Sequence, residues 1–311
     1  MKYLNIGKPG NSVNASEISL GMMRISSMEL KEIAALTDTA LECGINFFDH
    51  ADIYGGGKCE EMFAEAAGMN PGIREKFIIQ TKCGIRQGFF DFSKEHILTS
   101  AEASLKRLKT DYIDILLLHR PDTLMEPEEV AEAFSALKTS GKVKYFGVSN
   151  QKPMQIKLLQ KYLDREGIDI IINQLQLSVT NTGMMDSGLN VNMKNENSVN
   201  HDGDILEYCR LKDITIQPWS PFQHGFFGGA FIGDTEKFPE LNKTLDKYAE
   251  QYGITASALA IAWLLRHPAK MQPIVGTTNK TRLAEICKAS EITLSRREWY
   301  EIYKSAGNTL P

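Results

Sequence analysis

Eight short apolar runs recur along the chain, each followed by a stretch with helical periodicity. They fall at residues 18–21, 45–48, 77–81, 113–118, 143–148, 170–174, 215–219 and 273–275. Strands that alternate with helices pair in parallel, because a parallel return needs a crossover long enough to hold a helix. Eight such units in 311 residues favour an α/β fold of the closed (β/α)8 TIM barrel type over an open sheet. The helices carry their own stop signals. Leu30, Ile33, Ala34, Leu36 and Leu41 supply the apolar positions of a helix over residues 28–43, which Gly44 ends. Ser93 stands at an N-cap for residues 93–108, and Lys106, Arg107 and Lys109 suit that helix's C-terminus. Pro127 opens a helix over 127–140 and Gly141 closes it. Residues 1–17 read instead as a β-hairpin, turned at Gly7, Pro9 and Gly10, that plugs the N-terminal mouth of the barrel. No composition break marks a second unit, so residues 1–311 are expected to form a single barrel domain.

A barrel presents its chemistry where its strands end. Residues 44–55 read Gly-Ile-Asn-Phe-Phe-Asp-His-Ala-Asp-Ile-Tyr-Gly, an apolar strand that delivers Asp49 and then, after a turn of small residues, Tyr54. Two later strands release Lys82 and His119 in the same way. A phenol is a poor proton donor at neutral pH, and a neighbouring ammonium is expected to lower its pKa. A carboxylate would hold that ammonium, and an imidazole could position a carbonyl. The set fits proton transfer to a carbonyl oxygen as hydride reaches carbon, with the hydride supplied by a cofactor. Taken singly, Asp49 suits a helix N-cap, Lys82 a solvated strand end and His119 a satisfied core position; together they point to a site. His50 beside Asp49 and Asp52 lacks metal-ligand spacing, and no metal is expected. No Gly-x-Gly-x-x-Gly follows a strand, so a Rossmann unit lacks its signature.

These residues resemble the aldo-keto reductase superfamily. The resemblance rests on the residue 44–55 run, Lys82, Leu116-Leu117-Leu118-His119, Gly147-Val148-Ser149-Asn150, Asn173-Gln174 and Pro273-Ile274-Val275-Gly276-Thr277, in order. With Gln217-Pro218-Trp219-Ser220-Pro221 the pattern is similar to the bacterial branch of predicted oxidoreductases that carry a long loop after strand six. The resemblance implies reduction of an aldehyde or ketone to an alcohol with NADPH. Tyr54 would be the general acid, Lys82 its modulator, Asp49 the partner of Lys82, and His119 the group that orients the carbonyl. It places Ser149, Asn150 and Gln174 on the nicotinamide carboxamide, Trp219 against the ring, and Ser220, Pro221 and Phe222 beside the pyrophosphate. Gly276, Thr277, Thr278 and Arg282 would meet the adenosine end, where the Arg282 fork suits a 2′-phosphate. Glu285 would reach the adenine amine. Many members carry lysine where this chain has Gly276, which softens the preference for NADP but leaves it ahead of NAD. Some relatives are non-catalytic, cofactor-sensing regulatory subunits of the same fold, and that alternative stands beside the enzyme reading. A third places a Schiff base on Lys82.

Bulk properties exclude other classes. A net charge of −4 argues against a nucleic-acid partner. Five cysteines without Cys-x-x-Cys spacing, no apolar leader and no run of about 18 apolar residues suggest a cytoplasmic protein with reduced thiols and no membrane partner. A small carbonyl compound is the expected partner, and a monomer or weak homo-oligomer the expected state. Substrate choice is expected in the Asn-rich residues 178–204, read as a loop without secondary structure, in a mobile flap at 224–231, and in Met22, Met23, Phe89 and Phe90, whose apolar character suggests an apolar or aromatic carbonyl.

Overall fold

The chain opens with an antiparallel hairpin, β1 (Tyr3–Lys8) and β2 (Asn11–Ser16). The remaining strands are β3 (Ser19–Gly21), β4 (Phe47–Asp49), β5 (Ile78–Cys83), β6 (Ile85–Arg86), β7 (Phe89–Phe90), β8 (Ile113–Leu118), β9 (Val143–Ser149), β10 (Ile170–Gln176), β11 (Thr215–Trp219) and β12 (Ile274–Val275). This computed structural model describes residues 1–225 and 228–311. Eight of the strands run parallel in the order β11-β10-β9-β8-β5-β4-β3-β12. The circle closes just ahead of β12, where Ile216 donates its amide to the Lys270 carbonyl and accepts from the Gln272 amide, at 2.9 and 3.0 Å. The strands expected from apolar runs are therefore the eight staves of a closed (β/α)8 barrel.

The helices are α1 (Leu30–Glu42), α2 (Lys58–Ala66), α3 (Pro71–Arg74), α4 (Lys94–Leu108), α5 (Pro127–Thr139), α6 (Pro153–Leu163), α7 (Gly183–Leu189), α8 (Ile205–Leu211), α9 (Pro239–Tyr252), α10 (Ala256–Leu265), α11 (Lys280–Cys287) and α12 (Arg296–Ser305). Ser93 caps α4 by accepting from the His96 amide, and Pro127 is the first residue of α5, as their sequences require. Trp263 and Trp299 are packing residues: their rings stack at 4.6 Å, and each indole N–H donates to the other's backbone carbonyl.

Period-two alternation divides each strand between two environments. Outward residues such as Phe48, Ile79, Leu116 and Phe146 join the large core under the helices. Inward residues Phe47, Ile115, Leu117 and Ile172 form a second cluster with Ile6 and Ala15 of the N-terminal hairpin. The hairpin is thus the floor of the barrel. Polar contacts lock it there: Lys8 pairs with Asp169 at 2.6 Å, and Lys270 donates to the Gly7 carbonyl at 3.0 Å.

Residues 178–204 depart from expectation. They form an ordered excursion whose helix α7 buries Met184 and Met185. Tyr303 donates to Asp186 at 2.6 Å and so ties α7 to α12. The asparagines satisfy the backbone where no helix or strand does: Asn195 accepts from the Ser198 amide and Asn200 from the Gly203 amide. Composition alone hid this, because the segment's order comes from side-chain turns and distant contacts rather than from a period.

Gly147 shows how full the barrel is. A Cβ there would lie 2.5 Å from Leu117 Cδ2 and 2.9 Å from the Ile172 carbonyl oxygen. Because the backbone oxygen cannot step aside, Gly147→Ala is expected to lower stability by about 1–3 kcal/mol. Urea unfolding checks this, and an unchanged midpoint would contradict the packing described.

Candidate active site

Inward parity also delivers the polar groups. Continuing upward from the floor, β4 presents Asp49, β5 presents Gln80 and then Lys82, β10 presents Gln174, and β11 presents Gln217 and then Trp219. His119 follows β8 directly, its amide held by the Cys83 carbonyl at 2.9 Å. Tyr54 arrives from the loop after β4, which turns sharply through Gly55, Gly56 and Gly57. All three have positive φ, and a Cβ on Gly55 would lie 2.9 Å from Ser26 Cβ, so a side chain there meets both strain and contact.

The four groups expected from sequence meet at one point. Lys82 Nζ lies 2.8 Å from Asp49 Oδ2, 2.7 Å from the His50 carbonyl and 3.0 Å from Tyr54 Oη. An ammonium has three donors and no acceptor, so these contacts use all of them. Tyr54 Oη is therefore the acceptor in its contact with Lys82, and its own hydrogen is left to be donated elsewhere. His119 completes the group, its ring edge-on to Tyr54 at 5.9 Å between centroids.

Electrostatics refine the sequence reading. Burial raises the Tyr54 phenol above its ordinary value, and the opposing pull of Lys82 does not overcome it. The expected lowering by Lys82 is present but is the smaller effect, because the phenol is withdrawn from water. For Lys82 itself, burial acts to lower its pKa, but Asp49 and Tyr54 together hold it above the ordinary lysine value. An ammonium so held is a poor Schiff-base nucleophile, which weighs against that third reading. His119 is pushed well below its usual range by burial, then by Lys82 and Arg120, and so stands neutral. His50 is neutral too, lowered to about 3 by burial and by Lys82.

A network that the sequence reading missed lies beneath Asp49. Gln80 and Gln174 both donate to Asp49 Oδ1, at 2.5 and 3.1 Å, and both donate to Gln217. Gln217 donates to Gln272, which donates to the Ser16 carbonyl of the hairpin. The signal was readable: Gln80 stands two before Lys82 and Gln217 two before Trp219, polar residues at inward positions of apolar strands. A second missed contact is Glu60, fully buried at the start of α2. It accepts from Thr81 at 2.5 Å and from Arg107 at 2.7 Å. From sequence alone, Arg107 reads only as a helix-end cation.

The cluster opens into a cavity of about 770 Å³. Of the residues tied by resemblance to a cofactor, Ser149, Asn150, Gln174, Trp219, Ser220, Pro221, Phe222, Gly276, Thr277 and Arg282 line it; Thr278 and Glu285 do not. Asn150 and Ser220 hold left-handed backbone conformations, φ 58° and 51°, strain of the kind that concentrates at functional sites. Asn150 accepts from the Trp219 indole N–H at 3.1 Å and donates to Ser149 at 2.7 Å, which fixes the indole plane.

Other expectations about the cavity need correction. No described residue of 178–204 lines it. Met22 is buried in the core, while Met23 lines the cavity. Phe89 and Phe90 are exposed on the β6–β7 hairpin and do not reach it. Of the segment 224–231, Phe226 and Phe227 lie outside the described residues. The rest forms the base of a small hairpin, in which Phe231 donates to the Phe222 carbonyl and buries its ring, and Ala230 lines the cavity. Arg24, Ile85, Arg120 and Ser257 also line it and carried no motif.

Fold and site together define a class: a (β/α)8 barrel with an acid–base cluster at the C-terminal mouth of its strands. The chain belongs to the aldo/keto reductase family, whose model matches residues 17–306. It is 37% identical over 302 residues to an uncharacterized oxidoreductase of Bacillus subtilis, YcsN, covering 93% of each chain. It is 35% identical over 310 residues to a 6-dehydroglucose reductase of Agrobacterium fabrum, covering 95% and 96%. A probable voltage-gated potassium channel subunit beta of Arabidopsis thaliana is 27% identical over 316 residues, covering 94% and 92%. The protein is an oxidoreductase of this family, whose members generally use nicotinamide cofactors. Among the described residues no helix is long and apolar enough to cross a membrane.

Asp52, in the loop that carries Tyr54, provides a test of the electrostatics. Its Oδ1 is buried without a hydrogen-bond partner among the described residues, and burial followed by Glu60 raises its pKa from 3.8 to about 7. The folded chain therefore holds a proton there that the unfolded chain releases near pH 4, and stability falls as pH rises toward 7. Asp52→Asn is expected to raise stability by about 1–3 kcal/mol at pH 8 and to change it little at pH 4. Thermal melts at the two pH values check this, and equal effects at both would refute the assignment.

Proposed function

We propose that this chain reduces an aldehyde or ketone to an alcohol, with Tyr54 as the proton donor. The observation that carries the reading is the filled valence of Lys82. With its three donors on Asp49, the His50 carbonyl and Tyr54, the phenol can only accept from the ammonium and must offer its hydrogen to the cavity. A carbonyl oxygen beside Tyr54 would receive that proton. The neutral imidazole of His119 offers a second contact to the same oxygen without a competing charge. As the proton leaves, Lys82 stabilises the phenolate, and Asp49 keeps Lys82 in place.

The cavity wall fits a nicotinamide dinucleotide. Both Gln174 N–H groups are spent on Asp49 and Gln217, so its side-chain oxygen is what remains, suited to a carboxamide NH₂. One Asn150 N–H remains for the carboxamide oxygen after its bond to Ser149. Trp219 offers a fixed aromatic face. At the far end a Cβ on Gly276 would meet nothing within 4 Å, so there is room, and Arg282 presents a guanidinium without an ion pair among the described residues. Bound there, the dinucleotide would supply the hydride. NADPH is the preferred form on the strength of Arg282, and the protein is read as a single barrel acting in the cytoplasm on a small molecule.

Tyr54→Phe is expected to lower turnover about 10²–10⁴-fold while NADPH binding persists. Undiminished turnover would remove Tyr54 from the mechanism. If the unaltered chain binds NADPH yet turns over no aldehyde, the regulatory-subunit reading takes its place. Arg282→Ala should weaken NADPH about 10–100-fold and leave NADH unchanged by calorimetry. Equal loss for both would place Arg282 elsewhere than on the 2′-phosphate.

A further inference from the structure

Away from the cavity, two cysteines meet at a joint between helices. Cys43 caps the C-terminus of α1, Cys287 is the last residue of α11, and the two helices pack together. The Cys287 thiol is within hydrogen-bonding reach of the Cys43 sulfur. N-terminal residues tie both helix ends in place. The Lys2 amide donates to Ser290 Oγ at 2.6 Å, just beyond α11, and the Tyr3 hydroxyl donates to the Gly44 carbonyl at 2.9 Å, directly after Cys43. A Cβ on Gly44 would lie 2.9 Å from Met1 Cβ, so the joint is tightly packed. The two sulfurs are thus neighbours by construction, on elements that pack, and not by the chance approach of a loop. They differ in access. Cys43 is half-buried and Cys287 is buried. Burial, and then Cys43 beside it, push the Cys287 thiol up to about 12, so it stays protonated at neutral pH. The remaining three cysteines are buried in other surroundings. Cys59 donates to the Met23 carbonyl at 3.5 Å, Cys83 ends β5, and Cys209 accepts from Asn173.

A sulfur that solvent reaches, with a second sulfur buried behind it, is the arrangement in which the first is oxidised and the second resolves the product. We infer that Cys43 and Cys287 form a redox-active dithiol, which a hydroperoxide closes to a disulfide that staples α11 to α1. In the first step the Cys43 sulfur attacks a peroxide oxygen. The O–O bond breaks, the departing oxygen takes the Cys43 proton and leaves as water or an alcohol, and Cys43 becomes a sulfenic acid. In the second step the Cys287 sulfur attacks the Cys43 sulfur. The S–S bond forms, the S–O bond breaks, and the Cys287 proton leaves with the hydroxyl as water. One peroxide is reduced by two electrons, and two thiols are oxidised by two. Exchange with a dithiol reductant reopens the bond. The closed loop would run from residue 43 to residue 287, and a cross-link over so long a loop constrains the unfolded chain strongly. Because α11 also carries Arg282 to the cavity, the bond fastens the helix at that edge. No substrate or cofactor enters this inference, so it stands apart from the reductase reading.

The test treats the unaltered, folded chain with a small excess of hydrogen peroxide. Free thiols are then counted by alkylation in denaturant, and unreduced peptides are mapped by mass. Five free thiols are expected before treatment and three after it, with the Cys43 and Cys287 peptides joined and dithiothreitol restoring all five. The oxidised form is expected to melt about 5 °C or more above the reduced form. Cys287→Ser should halt the reaction at a sulfenic acid on Cys43, which dimedone traps, and Cys43→Ser should leave Cys287 unreacted. Five thiols remaining after treatment, a cross-link through any other cysteine, a disulfide between two chains, or a sulfinic acid on Cys43 in place of the bond overturns the inference. The thiol count and the peptide map come from the unaltered chain, so they decide the matter even where a serine variant fails to fold.

Discussion

The contact between Lys82 and Asp49 is the constraint on which the rest of the site depends. Both side chains are buried at the top of the barrel, where an unpaired charge would be costly. The pair persists because its remaining valences are filled. Gln80 and Gln174 donate to the other Asp49 oxygen, and the His50 carbonyl and Tyr54 take the other donors of Lys82. Nothing in this arrangement can rotate without orphaning a buried polar atom. The direction of the Tyr54 hydrogen thus follows from counting donors and acceptors, several residues removed from any ligand.

The same amide chain links the site to the base of the barrel. From Asp49 it passes through Gln217 and Gln272 to the backbone of the N-terminal hairpin. Below it the interior is apolar, with Phe47, Ile115, Leu117 and Ile172 closing on Ile6 and Ala15. The barrel interior is therefore layered: apolar at the floor, amide in the middle and ionic at the mouth. Among the described residues the opening is lined by three further cations, Arg24, Arg120 and Arg282. Arg282 stands at the edge where α11 begins, and Arg120 stands beside the acid–base cluster.

Much of this was legible in the residues. The apolar runs marked all eight staves, because a buried parallel strand has to be short and continuously apolar. Asp49, Tyr54, Lys82 and His119 were legible because each ends a strand or opens the next loop. What escaped was set by distance or by degree. Glu60 and Arg107 are 47 positions apart, and no local pattern predicts that they meet. The amide chain needed inward parity to be followed across four strands. Residues 178–204 looked structureless because their order comes from Asx turns and from contacts to α12. The direction of the Tyr54 shift depended on how far burial outweighs one neighbouring charge, which no list of residue types contains.

The central claim is that Tyr54 is a neutral phenol held by Lys82 with its hydrogen facing the cavity. Carbon-13 labelling of the tyrosine ζ positions, with Tyr54→Phe used to assign the signal, allows its titration to be followed by NMR. The account predicts that Tyr54 titrates above the ordinary tyrosine value of about 10, and higher still in Lys82→Met, which removes the charge that opposes burial. A Tyr54 that titrates below that value, or that is indifferent to the loss of Lys82, would contradict it.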